Sequence, residues 1–164
     1  MKLAMERKSI VALAALLAVI SAWASGNLHA QQRREREPNE VYAARRARLA
    51  ARVDTPVILW GLSGREEFSQ AYIFTQEDNF YYLTGHNEEE AGLIVLPALK
   101  SGQSRDAWDG PREILFLPDK NPQKEKWNGV RLSPTDPDIL ARTGFVSVRA
   151  FKEMRADVEK LAKR

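Results

Sequence analysis

The chain has 164 residues, 25 Lys and Arg against 22 Asp and Glu, a net charge of +3 and no cysteine. The missing thiols exclude a disulfide framework, a thiolate metal site and a cysteine nucleophile. Residues 1–30 carry three of the cations and one of the anions, which leaves the rest close to neutral; that balance, with the remaining basic character gathered on Arg33, Arg34, Arg36, Arg45, Arg46, Arg48 and Arg52, argues against a nucleic-acid surface.

Lys2, Arg7 and Lys8 precede an unbroken apolar run from Ile10 to Ile20, the charged and apolar regions of a secretory signal. The run is shorter than the ~20 residues that a bilayer-spanning helix needs, so no membrane span is expected once it is removed. Cleavage fits after Ala24 or after Ala30, and the second site starts the mature chain at Gln31-Gln32-Arg33-Arg34. Residues 1–30 therefore read as a signal peptide, with export to a periplasm or outside the cell; an uncleaved tether would also export the domain. What remains, about 130 residues, is enough for one domain with one hydrophobic core.

Residues 31–39 are polar and read as a disordered lead-in, and a domain is expected over 40–164. Asn39 suits an N-cap, and Tyr42, Leu49 and Val53 recur at helical spacing, predicting a helix over Glu40–Arg52. Its arginines read as a solvated face, with Arg45, Arg48 and Arg52 opposing the helix dipole. Pro56–Trp60 is a short apolar run bounded by Gly61 and Gly64, the pattern of a buried strand. Tyr72–Phe74 and the aromatic Asn79–Thr84 read as strands, the second turning at Gly85–Glu90 into Gly92–Pro97 to make an antiparallel hairpin. Lys100–Gly110 has loop composition. Glu113–Pro118 is a further strand, Asn121–Asn128 a short helix with Pro122 at its first position, and Gly144–Val148 a last strand. Phe151, Met154, Val158 and Leu161 then share one helical face. The chain stops in Ala162-Lys163-Arg164 without a cap or tail, which reads as a truncation. About five strands with flanking helices make an α/β fold with a mixed sheet.

Little in this sequence can carry catalysis. Of two histidines, His29 falls in the signal, and His86 lacks the neighbours of a zinc site or a Ser-His-Asp triad; it reads as an exposed hairpin residue. Glu88, Glu89 and Glu90 read as solvated acids that splay from a turn, and Asp106 and Asp109 as loop residues. Gly61–Gly64 lacks the Lys-Ser/Thr of a phosphate cradle and reads as a turn. Trp60, Phe74, Phe80, Tyr81, Tyr82 and Phe116 are expected in the core. Trp127 differs, because Glu125–Arg131 is otherwise polar: a contact hot spot and a loop anchor both fit. No catalytic residue and no metal ligand is expected.

Phe74-Thr-Gln-Glu-Asp-Asn-Phe-Tyr-Tyr-Leu-Thr-Gly85, then Asn87-Glu88 and Ala91, and Trp127-Asn-Gly-Val-Arg131, together resemble the N-terminal domain of aminopeptidase P, the Xaa-Pro aminopeptidase family related to creatinase and prolidase. Tyr42–Leu49 is similar to that domain's opening helix, and the resemblance spans about Glu40 to Leu161, weakest over 98–112 and after Pro134. It implies the creatinase-type N-terminal mixed sheet flanked by helices. It also implies that the chain serves a catalytic pita-bread domain it does not contain, in which two metal ions, usually manganese, activate the hydroxide that cleaves before proline. By the same resemblance the domain assists a homo-oligomer, meeting its own catalytic domain or neighbouring subunits, and Trp127 lines the pocket for a peptide with proline in second position. His86 departs from the apolar residue often found after the glycine. The alternative reading is a free-standing secreted binding module that kept the fold and lost the peptidase.

Overall fold

A strand covered on both faces needs apolar residues at nearly every position, and the two middle strands of this protein have them. The computed structural model describes residues 35–65, 74–101 and 108–163, and the unit they build begins at Glu37. In chain order its elements are α1 (Asn39–Ala50), β1 (Val57–Trp60), α2 (Asp78–Thr84), β2 (Gly92–Val95), β3 (Glu113–Leu117), α3 (Pro122–Asn128), α4 (Ile139–Thr143), β4 (Val148–Ala150), a 3-10 turn (Phe151–Glu153) and α5 (Met154–Ala162). The strands lie in the order β1-β2-β3-β4. β1 and β3 flank β2 antiparallel, with Val57 opposite Val95 and Val95 opposite Glu113, and β4 adds parallel to β3 with Leu115 opposite Val148.

Alternation along the strands divides the core in two. Leu93, Val95, Leu115 and Leu117 face Phe80 and Leu83 of α2, Ile139 of α4, Phe145 and, at the margin, Leu49 of α1. Ile94, Leu96, Ile114 and Phe116 face Met154, Val158 and Leu161 of α5, with Phe151 and Trp108 beside them. The helical spacing read from Phe151 to Leu161 thus marks the face that meets the sheet. Arg149 of β4 fixes the same helix by pairing with Glu153 and with the buried Asp157.

The mixed α/β sheet and most elements agree with the sequence reading; several assignments do not. Asn79–Thr84 is helical, not a strand. Glu77 accepts from the Phe80 amide at 2.8 Å, the Thr84 hydroxyl donates to the Phe80 carbonyl at 2.7 Å, and Gly85 ends the turn at φ 63°. Aromatic, β-prone composition lost to a cap at each end and to the burial of Phe80, Leu83 and Thr84 on one side. The expected hairpin therefore does not form, and β2 pairs with β1 and β3 instead. Four strands make the sheet among the described residues; β4 begins at Val148, after Gly144 has capped α4, a helix the sequence reading missed. Asn39 is not the N-cap: α1 begins on it after Pro38, and its amide nitrogen donates to the Ala141 carbonyl at 2.8 Å. Trp60 and Tyr82 are exposed, not core. The signal, residues 31–34 of the lead-in, Tyr72, Ile73 and Asp106 lie outside the described residues. None of the described helices is long and apolar enough to cross a membrane.

The solvated reading of the arginine block fails at Arg46, which is 1% exposed. Its Nε donates to Glu113 Oε2 at 2.6 Å and its Nη2 to Oε1 at 3.3 Å, while Nη1 donates to the Leu83 carbonyl at 3.0 Å and Nη2 to that of Gly144 at 3.1 Å. The guanidinium also lies 3.7 Å from the centre of the Phe145 ring. One side chain of α1 thereby holds the last turn of α2, the start of β3 and the cap of α4. Truncating one partner of a buried ion pair costs roughly 3–5 kcal/mol, and Arg46→Met also strips two carbonyls of their donor. Both Arg46→Met and Glu113→Gln are expected to lose about 3–5 kcal/mol in urea unfolding, the first by stripping the carbonyls and the second by leaving a buried guanidinium without its counter-charge; a loss below about 1 kcal/mol in either variant would contradict this.

Candidate functional site: a closed excursion carrying Trp127

Between β3 and α4 the chain leaves the sheet and returns. Asn121 caps α3 by accepting from the Lys124 amide at 3.1 Å, and Pro122 takes the first helical position. Trp127 comes at the end of this short helix and is 89% exposed. Gly129 follows with φ 81° and ψ 169°, a region that essentially only glycine enters. A Cβ there would meet nothing within 4 Å, so conformation and not space requires the glycine. Val130 is exposed too, and the chain then turns back at Arg131.

The excursion is closed at its base. Lys120 Nζ lies 2.6 Å from Asp136 Oδ1, the Ser133 amide donates to Asp136 Oδ2 at 3.1 Å, and Arg142 stands 3.8 Å away. Asp136 itself is buried. Its carboxyl is held below the usual carboxylate range by the Lys120 ammonium, against a smaller opposing effect of burial and with help from the Ser133 amide.

The sides are held by the acidic run, which does not splay into solvent as its sequence suggests. Glu88 Oε2 accepts from the Leu132 amide at 2.9 Å, Glu89 Oε2 accepts from Arg131 Nη2 at 2.8 Å, and Glu90 lies 3.5 Å from Lys124. The three carboxylates come from one loop between α2 and β2, in which Glu90 adopts φ 59°, unusual outside glycine, and which is held from behind. Gln76 is buried; its amide donates to the Glu88 carbonyl at 2.9 Å, its oxygen accepts from Leu62 N at 2.5 Å, and its own backbone N–H donates to Asn87 Oδ1 at 2.8 Å. Burial pushes the Glu88 carboxyl up, partly offset by the Leu132 amide and by Arg131 and Arg142. His86 is buried, not exposed, with its N–H donating to Thr84 Oγ1 at 3.0 Å. Asp109 is exposed.

A cleft of about 200 Å³ lies between the start of α3 and this rim, lined in part by Glu90, Lys120, Lys124, Arg131 and Leu132. Its cations each have a carboxylate partner: Asp136 for Lys120, Glu90 for Lys124 and Glu89 for Arg131. Among the described residues no three His, Asp or Glu side chains gather closely enough to hold a metal ion. The arrangement suits presentation of an indole from a fixed backbone. Sequence reasoning picked out Trp127 but missed Gln76, Glu88, Glu89, Arg131 and Asp136; opposite charge on Glu88–Glu90 and on Lys124 and Arg131 was the signal available.

The model of the aminopeptidase P N-terminal domain matches residues 42–164. The chain belongs to this family. Xaa-Pro aminopeptidase of Haemophilus influenzae is 35% identical over 98 residues, which are 58% of this chain and 21% of the relative. Human Xaa-Pro aminopeptidase 3 is 34% identical over 84 residues, 51% of this chain and 15% of the relative. Among solved structures, the low-pH form of Escherichia coli aminopeptidase P superimposes with a TM-score of 0.60 at 21% identity, and Pseudomonas aeruginosa aminopeptidase PepP with 0.57 at 24%; each match covers 77% of this chain and 27% of the other. At those identities the superpositions show the fold. This aminopeptidase P N-terminal domain thus spans about a quarter of the solved chains it resembles.

Two carboxylates of the site give opposite pH signatures. Asp136 has a lowered folded value, so its stabilisation is present above the unfolded value of about 3.9 and is lost as pH falls through the lower folded one. Glu88 has a raised folded value, so its ionisation penalty applies above that value and disappears as pH falls toward the unfolded 4.3 or so. Melting temperatures across pH should show Glu88→Gln at least as stable as wild type near neutrality, since the amide oxygen still accepts from Leu132. Asp136→Asn should be destabilised near neutrality and converge with wild type in strong acid. A Glu88→Gln protein that melts far below wild type at neutral pH would refute the assignment.

Proposed function

We propose that this domain is the non-catalytic N-terminal part of an exported, manganese-dependent Xaa-Pro aminopeptidase, and that it serves oligomer assembly and the shaping of a pocket for peptides with proline in second position. The observation that carries this reading is Trp127: a large apolar side chain held out from a closed, charge-paired excursion, inside a domain of the aminopeptidase P family. Exposed indoles on rigid backbone are favoured contact residues, because they bury much area with little loss of side-chain freedom. In this proposal the indole faces peptide bound at a neighbouring subunit's active site or that of its own catalytic domain. In this proposal manganese belongs to that catalytic part, as the resemblance to the family implies. Export rests on the charged and apolar pattern of residues 1–20.

Two measurements test the reading. The coding sequence beyond Arg164 should specify the series of two Asp, one His and two Glu that would hold the metal pair, and its absence would remove the enzyme. In the full gene product, Trp127→Ala should raise KM for a Xaa-Pro peptide about tenfold, equivalent to about 1.4 kcal/mol, with a smaller effect on kcat; unchanged kinetics would remove the pocket role.

A further inference from the structure

We propose that Glu89 is a positioning residue: through its pair with Arg131 it sets the course of residues 127–131 and so the direction in which Trp127 is presented. The proposal rests on the reading of Trp127 as a substrate-facing residue, but its physical core can be tested apart from substrate.

Glu89 is located with unusual completeness for a residue of a loop. The Gly64 backbone passes so close that a Cβ there would come within 2.5 Å of the Glu89 carboxyl carbon. Gln76 holds the preceding carbonyl, and the Glu90 amide donates to the Leu62 carbonyl at 3.1 Å. The carboxylate is thus seated in a slot before it meets its cation. Arg131 comes to it half-buried, the two side chains being 17% and 24% exposed. The Arg155–Glu159 pair on α5 is by comparison 89% and 57% exposed, the kind of surface pair that contributes little.

On the other side, the segment between the indole and Arg131 leaves α3 with one last helical bond, from the Gly129 N–H to the Glu125 carbonyl at 3.0 Å. Gly129 has open space where a side chain would be, and Val130 is 83% exposed. Beyond Gly129, the contacts that hold the segment among the described residues are the Arg131 guanidinium on Glu89 and, next in the chain, the Leu132 amide on Glu88. A glycine at φ 81° can turn either way at little cost, so the anchor beyond it chooses the turn. This accounts for the five-residue Trp-x-Gly-x-Arg spacing in physical terms: the indole ends a helix, the glycine reverses the chain, and the arginine locks the reversal.

The test is ¹⁵N relaxation and amide exchange on the full chain, with Glu89→Gln, Arg131→Lys and the exchanged pair Glu89→Arg with Arg131→Glu. In wild type the amides of 127–131 should have order parameters near the rigid value of about 0.85 and the Leu132 amide should be protected; in Glu89→Gln the former should fall toward 0.6 or below, with the core amides of β2 and β3 unchanged. Arg131→Lys, which keeps the charge and loses the fork, should give an intermediate loss, and the exchanged pair should recover order. Unchanged order parameters in Glu89→Gln would overturn the proposal, and so would collapse of the β2 and β3 amides in both single variants, which would make the pair a general support of the fold. Peptide kinetics of the full gene product separate the two ideas: loop disorder with KM raised supports both, whereas loop disorder with unaltered KM leaves the positioning intact and contradicts the substrate-facing role of Trp127.

Discussion

The buried guanidinium of Arg46 is the constraint on which the rest of this domain depends. A charge taken out of water must find a full set of partners, and Arg46 finds them on three separate elements: Glu113 at the start of β3, the Leu83 carbonyl in α2 and the Gly144 carbonyl at the cap of α4. Apolar packing alone would let α1, α2 and α4 slide over the Leu93–Leu117 face of the sheet. The directional contacts of one arginine fix where they stop. Tyr42, one helical turn earlier, is fully buried and accepts from the Glu37 amide at 3.0 Å, tying the entry of α1 to the same frame.

From that frame the route to the candidate site is short. α2 ends at Gly85, the chain passes the buried His86, and Asn87 and Gln76 fix the start of the acidic run. β3, seated by Glu113, delivers the chain to Lys120 at the other side of the excursion, and α4, capped against Arg46, receives it after Asp136. Both ends of the segment that bears Trp127 and the rim that grips its side are therefore referred to one buried network. Rigid elements place a side chain more accurately than loops do. Here a loop acquires that accuracy through charge pairs to a fixed rim.

Much of the fold was legible because its strands obey simple patterns. The runs at 92–97 and 113–118 and the helical stripe from Phe151 to Leu161 report burial directly, whereas the run at 56–60, read as a buried strand, is a partly covered edge strand with Trp60 exposed. Asn79–Thr84 was misread because aromatic composition favours a strand while capping by Glu77 and Gly85 decides for a helix; the spacing of Phe80, Leu83 and Thr84 was the better guide. Arg46 could not be told from Arg45 or Arg48 by composition, since all three sit in one basic block and only the arrival of Glu113 from 67 positions away distinguishes them. The same holds for the site. Trp127 stood out as an isolated indole among polar residues, but the Glu88–Glu90 run gains its meaning from Arg131 and Leu132, more than 40 positions later. Local pattern reports burial well and long-range ion pairing hardly at all.

In the proposed function, this domain holds one indole in a fixed place for the use of a catalytic centre elsewhere. The most direct measurement replaces Trp127 by a photo-crosslinking amino acid in the full gene product and irradiates it with a non-hydrolysable Xaa-Pro peptide bound. The account predicts a covalent adduct between position 127 and the peptide, competed away by substrate. Labelling confined to other positions while the peptide remains bound would contradict it.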